Sequence, residues 1–147
     1  MTQLLPLEGY IDAIIGIENK VHSHPWSSSL LRKPQGKFDC YRVLVSDDNR
    51  VIGYFYAQCI VGEASLLNIA IAPEFQRQGF GKILLSHFLA EMKAMHAMEA
   101  WLEVRASNLA AISLYESMGF NEFDRRYDYY PTAKGKEDAL IMSYWFA

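Results

Sequence analysis

The chain of 147 residues predicts a fold of the α/β (α+β) class, one sheet with its elements in the order β-α-α-β-β-β-α-β-α-β-β. Three observations carry this. Three apolar segments, 38–46, 51–61 and 64–72, are separated only by Asp47-Asp48-Asn49-Arg50 and by Gly62-Glu63, short polar breaks that suit an antiparallel meander. Beyond Gly81, the residues Leu84, Leu85, Phe88, Leu89, Met92 and Met95 make one apolar stripe at helical spacing. A strand over 99–105 then precedes a helix from Asn108 to Met118, which Gly119 closes.

The remaining elements follow in order. Residues 2–6 suit a short first strand, and Tyr10, Ile11, Ala13, Ile14, Ile17 and Val21 recur at the spacing of a helix that ends before Pro25. Ser27 is placed to cap a second short helix through Leu30 and Leu31, stopped by Pro34 and Gly36. Two closing strands, near 120–129 and 138–146, enclose a loop from Pro131 to Lys136.

With 51% hydrophobic and 14% aromatic residues, the chain can bury one core without staples, and a single domain over residues 1–147 is expected. A net charge of −3 supplies no broad basic field for a nucleic-acid backbone. Cys40 and Cys59 lie inside apolar stretches and read as buried free thiols of a reducing compartment. The four histidines have no metal-binding pattern, so no metal is expected. The first residues carry no basic leader, and no apolar run approaches the roughly 20 residues of a membrane helix. A cytoplasmic location is the expectation.

The segment Ile69-Ala70-Ile71-Ala72-Pro73-Glu74-Phe75-Gln76-Arg77-Gln78-Gly79-Phe80-Gly81 runs from a hydrophobic strand through a turn into a helix. Glycines at 79 and 81 let a backbone approach a ligand, and the positive N-terminal end of the following helix favours an anion such as a pyrophosphate. It is not a Walker A loop, because Gln76 and Ile83 stand where Gly and Ser/Thr belong, nor a GxGxxG fingerprint, because Leu84 takes the third position. A plain tight turn with a solvated Arg77 is the alternative.

On strand Trp101-Leu102-Glu103-Val104-Arg105, residues 101, 103 and 105 share one face, which sets a carboxylate among large apolar neighbours. Burial there raises a carboxyl's pKa toward a general base's useful range; the alternative is a half-exposed carboxylate paired with Arg105 or another cation. Asn108 and Tyr115, seven residues apart, fall on nearly the same helix face and can address one ligand together. Alternatively Ser107 or Asn108 is an N-cap and Tyr115 a core aromatic.

Gln76-Arg77-Gln78-Gly79-Phe80-Gly81 resembles the Q/R-x-x-G-x-G/A motif of the Gcn5-related N-acetyltransferases (GNAT), preceded as there by a hydrophobic-Ala-Pro strand end. The run from Leu102 to Asn108, followed by Ala111, Leu114-Tyr115 and Gly119-Phe120, resembles the L-E-V-R-x-x-N-x-x-A-x-x-L-Y-x-x-x-G-F signature of protein N-terminal acetyltransferases. His22 with Pro25-Trp26-Ser27, and Tyr129-Tyr130-Pro131 with Glu137-Asp138-Ala139, extend the likeness to the RimI branch, whose members acetylate a ribosomal-protein alanine.

The resemblance implies a GNAT fold, with a mixed central sheet, helices on both faces and a splayed central strand pair. It implies acetyl-CoA as co-substrate, with Ile69, Ala70 and Ile71 along the pantetheine and Arg77, Gln78, Gly79, Phe80, Gly81 and Lys82 at the pyrophosphate. Glu103 becomes the proton acceptor, Tyr115 the proton donor to the thiolate, Asn108 a pantetheine contact and the Ile71 amide the oxyanion donor. Trp26 and Tyr129–Tyr130 would frame the peptide entrance, although a tyrosine pair beside proline also serves as a packing corner.

Asp128 stands where the branch often has Asn, a difference with consequences for contacts to the substrate. The implied acceptor is the N-terminal alanine of the small-subunit ribosomal protein numbered eighteen, met by a monomer or weak homodimer without nucleic acid or membrane. A lysine, polyamine or small-molecule amine is the second reading. A non-catalytic acyl-CoA sensor is the third, against which the presence of both Glu103 and Tyr115 counts.

Overall fold

Side-chain alternation along the strands decides how the layers stack. The computed structural model describes residues 1–147. Its strands are β1 (Gln3–Pro6), β2 (Asp39–Val45), β3 (Val51–Ile60), β4 (Glu63–Ile71), β5 (Glu99–Arg105), β6 (Asn121–Thr132) and β7 (Gly135–Trp145). The helices are α1 (Ile11–Val21), α2 (Ser28–Leu31), α3 (Phe80–Ala94) and α4 (Leu109–Ser117), so the element order is the one read from sequence. The strands form one seven-stranded sheet, β1-β2-β3-β4-β5-β7-β6, antiparallel throughout except for the central β4–β5 pair.

On β3, Phe55 and Ala57 face one way and pack with Leu84, Leu85, Phe88 and Met92 of α3. Tyr54 and Tyr56 face the other way, onto Ile14 and Ile17 of α1 and Leu31 of α2. Two cores therefore sandwich the sheet, with α3 and α4 on one face and α1 and α2 on the other. Ser27 caps α2 as expected, its hydroxyl accepting from the Leu30 N–H at 3.2 Å. Cys40 and Cys59 are buried free thiols, and burial pushes Cys40 up to about 11. No helix is long and apolar enough to cross a membrane.

The closing hairpin differs from the sequence reading. Residues 131–136 are not a loop, because β6 and β7 stay paired through Tyr130–Glu137, Pro131–Lys136 and Thr132–Gly135, leaving only Ala133 and Lys134 at the turn. Pro131 read as a break, but β6 is the outer edge of the sheet, where a residue without an N–H is tolerated. The Pro131 carbonyl instead accepts from Arg105 Nη1 at 2.9 Å.

One close approach ties the core to the site. A Cβ on Gly53 would lie 2.5 Å from the Ala70 carbonyl oxygen and 2.8 Å from Ile71 Cδ1. Gly53→Ala must push β3 and β4 apart opposite Ile71, and we expect it to cost about 1–3 kcal/mol. A lowered urea midpoint at constant slope is the readout; an unchanged midpoint would mean that β4 yields freely.

Candidate active site

The site begins where two strands part. β4 and β5 pair from Glu63–Glu99 to Leu66–Leu102 and no further, although β4 runs on to Ile71 and β5 to Arg105. The cause lies in β4, where Ala57 pairs Leu66 but the next β3 residue, Tyr56, pairs Asn68. Leu67 is the extra residue of a bulge, which bends its strand away from the neighbour.

Ladder geometry then decides which backbone groups face the fork. The Ala72 N–H donates to the Ile52 carbonyl at 2.8 Å, so by antiparallel alternation Ala70 and Ala72 turn their groups toward β3. Ile69 and Ile71 turn theirs toward the opening, and the Ile71 carbonyl accepts there from Gln76 Nε2 at 3.0 Å. Of the three strand residues named from sequence, Ala70 therefore does not offer its backbone to a ligand; it is buried and paired.

A cavity of about 240 Å³ occupies the fork, bringing Glu103 and Arg105 of β5 together with Asn108, Tyr115, Trp26 and Tyr130. The structure decides between the two readings of Glu103. Its side chain is 32% exposed and lies 3.4 Å from Arg126 Nη2, so the half-exposed, cation-paired reading holds, with Arg126 rather than Arg105 as the cation. Alternation had placed Glu103 on the right face, but α1 and α2 cover the β2–β4 half of that face and leave the β5–β7–β6 half open.

Arg105 is engaged elsewhere, stacking at 4.5 Å on the Tyr130 ring and contacting His24 Nδ1 at 3.1 Å. Tyr115 is 6% exposed; burial first, and Tyr130 second, push its phenol up to about 12. Asn108 is the N-cap of α4, its Oδ1 accepting from the Ala111 N–H at 3.2 Å, and it lines the cavity as well. The pairing of Asn108 and Tyr115 therefore comes from a cap and a helix residue rather than from two positions inside one helix.

The turn before α3 has the features of an anion cradle. Gly79 is left-handed, at φ +86°, and nothing lies within 4 Å of where its Cβ would be. It caps α3 without any side-chain acceptor, so the first-turn N–H groups have no side-chain partner. The two motif glutamines brace the turn instead, Gln76 on the Ile71 carbonyl and Gln78 Nε2 on the Glu74 carbonyl at 3.0 Å. Arg77, also left-handed at φ 62°, and Lys82 are exposed, while Phe80 packs edge-on against Phe75. A Cβ on Gly81 would meet Leu114 Cδ2 at 3.2 Å, so Gly81 lets α3 approach α4, the helix carrying Tyr115.

Residues 11–120 match the model of the acetyltransferase (GNAT) family. The chain belongs to that family. It is 47% identical over 127 residues to the [ribosomal protein bS18]-alanine N-acetyltransferase of Salmonella typhimurium, covering 86% of this chain and 85% of that protein. The Escherichia coli enzyme of the same name is 42% identical over 133 residues, 90% of this chain and 89% of that one. A crystal structure of the Escherichia coli enzyme superposes with a TM-score of 0.92 at 40% identity, covering 100% of this chain and 95% of that one. Arabidopsis thaliana NAA60 in complex with acetyl-CoA, 14% identical, has the same fold at a TM-score of 0.86, over 99% and 98% of the two chains.

Within this GNAT fold, two groups of residues escaped the sequence reading. Glu18 of α1 and Asn68 of β4 are buried beside His22 and line the fork cavity. Glu18 could have been found, since it falls four residues after Ile14 on the apolar stripe of α1, where a carboxylate needs partners. Asn68 could not, because the Leu67 bulge turns it and Ala70 onto the α1 face while Leu66 packs on the α3 face, a switch that simple alternation does not show.

Asp128 turns out to be a backbone device. At φ 51° it sits in a bulge between Arg126 and Tyr130, and its N–H donates to Asp138 Oδ1 at 3.0 Å. Asn and Asp both tolerate that conformation, so the departure from Asn preserves the chain path. Of the tyrosine pair, Tyr130 lines the cavity, whereas Tyr129 stacks outside it on Tyr130 and Arg126.

Proposed function

We propose that this chain transfers the acetyl group of acetyl-CoA to the N-terminal alanine α-amino group of ribosomal protein bS18. The observation that carries it is identity of 47% and 42%, over most of both chains, to enzymes of that name. The fit to the co-substrate rests on the open Gly79 cradle, the uncapped start of α3 and the backbone of Ile69 and Ile71 facing the fork. When bound, acetyl-CoA supplies an activated thioester carbonyl.

In this reading Ile69 and Ile71 hold the pantetheine arm and the Ile71 N–H meets the oxyanion, being turned away from β3. The first-turn N–H groups of α3 and the loop from Arg77 to Lys82 hold the pyrophosphate, with Asn108 beside the pantetheine. Glu103 accepts a proton from the amine and Tyr115 donates to the departing sulfur across the same cavity. An α-amino group, near ~7.7–8.0, is partly neutral at neutral pH and needs less help than a lysine near ~10.4. We further propose a cytoplasmic enzyme, monomeric or weakly dimeric, that meets a peptide terminus and needs neither metal, nucleic acid nor membrane.

The test offers acetyl-CoA with peptides beginning in alanine, with free or blocked termini, and with peptides whose only amine is a lysine. Mass spectrometry locates the added acetyl group. Modification of the free alanine terminus alone is expected; acetylation of the lysine side chain would overturn the acceptor assignment, and no modification despite cofactor binding would point to a sensor. Glu103→Gln should lower kcat by about tenfold or more with little change in acetyl-CoA affinity. Full turnover by that variant would remove Glu103 from the reaction.

A further inference from the structure

The cavity contains a polar chain that the reaction as described leaves idle. Glu18 is 1% exposed, and its two oxygens accept three hydrogen bonds. Oε1 takes the Tyr54 hydroxyl at 2.6 Å and Asn68 Nδ2 at 2.9 Å, and Oε2 takes the Trp26 N–H at 2.9 Å. A carboxylate only accepts, so it dictates how Asn68 lies, with its amide nitrogen toward Glu18 and Oδ1 away. At that oxygen, 3.0 Å off, is His22 Nε2.

Because Asn68 Oδ1 can only accept, His22 must carry its proton on Nε2. The lone pair of the neutral ring is then on Nδ1, which no group of the protein engages. The side chain is 33% exposed and lines the cavity. His24, its neighbour, is not equivalent, since Arg105 Nη2 and Ser23 Oγ each lie 3.1 Å from its Nδ1. Glu103 is held by Arg126 at 3.4 Å. His22 is thus the imidazole of the cavity whose lone pair is unclaimed.

We propose that His22 is a second proton acceptor of the reaction, taking a proton at Nδ1 from the acceptor's α-ammonium group. This rests on the acetyl-transfer reading above. In the step an N–H bond of the ammonium breaks, an Nδ1–H bond forms, and the electron pair stays on the acceptor nitrogen, which then attacks the thioester carbonyl. The positive ring faces Glu18, whose Oε1 is 3.6 Å from Nε2, so the new charge is not left alone in the cavity. The other titratable groups around it are His24, Glu103 and Arg105, Tyr115 from α4 and Tyr130 from β6, with Tyr54 behind Glu18.

His22→Gln is the decisive variant, because a glutamine amide can still donate to Asn68 but cannot take up a proton. The measurement is kcat/KM for an alanine-starting peptide from pH 6 to 9.5, beside wild type, Glu103→Gln and His22→Phe. Below the ~7.7–8.0 range of the α-amino group, where the amine needs a base, both His22 variants should lose about tenfold or more. Near pH 9.5, where the amine is already neutral, the deficit should shrink to about twofold.

A loss of equal size at every pH, or full rescue by glutamine, would reduce His22 to a packing role and overturn the proposal. So would a pH-dependent loss confined to Glu103→Gln. Wild type that leaves the peptide unmodified would refute the reading of function, and this inference with it.

Discussion

Replacing Tyr115 with phenylalanine is expected to lower acetyl transfer by about 10²–10³-fold while leaving acetyl-CoA affinity within about threefold. The ring is 6% exposed and packs at 5.9 Å from Phe120, contacts that phenylalanine keeps. No side chain or backbone group of the protein hydrogen-bonds the hydroxyl, so its removal strands no partner in the core. What is lost is a donor in the fork.

A phenol pushed up to about 12 stays protonated from pH 6 to 9.5, so this loss should not vary with pH. That flat profile separates it from the His22 variants. An ordinary thiol lies near ~8.5, well below the phenol, so Tyr115 serves the departing sulfur first as a hydrogen-bond donor. Full proton transfer must be coupled to loss of the acceptor nitrogen's second proton. Single-turnover kinetics with titration calorimetry of acetyl-CoA check both halves, and wild-type turnover would mean that another group meets the sulfur.

Gly79→Val should weaken acetyl-CoA binding by about 100-fold, or about 2.7 kcal/mol. Two effects combine. At φ +86° an L-residue carries strain of about 1–2 kcal/mol, and a β-branched one is worse still. The side chain would also fill open space at the uncapped start of α3, the space the cradle offers a pyrophosphate. Gly79→Ala should show a smaller change of the same sign. Calorimetry decides, and unchanged affinity in a folded Gly79→Val protein would refute the cradle.

Much of this site was legible one element at a time. The stripe of Leu84, Leu85, Phe88 and Met92 became the buried face of α3, and the three meander segments became β2, β3 and β4 within a residue or two. Glu103 and Tyr115, named from a motif, line one cavity. Burial of Glu103 stayed open in the sequence because period-two alternation tells which face a residue takes, not whether a helix covers that face. The hairpin tip was misjudged because Pro131 ends a central strand but not an edge strand, and strand order is not a local property.

The partners of Glu18 lie 36 and 50 residues away, at Tyr54 and Asn68, and no local pattern announces such a set. By itself the sequence determined the elements, the phosphate turn and the kind of chemistry, because periodicity, glycine and capping act within a few residues. Only the tertiary structure decided which backbone groups face the fork, which cation holds Glu103 and which nitrogen of His22 bears the proton. Each of those depends on a bulge, an uncovered sheet face or a hydrogen bond between distant segments, and such relations exist only once the chain has closed on itself.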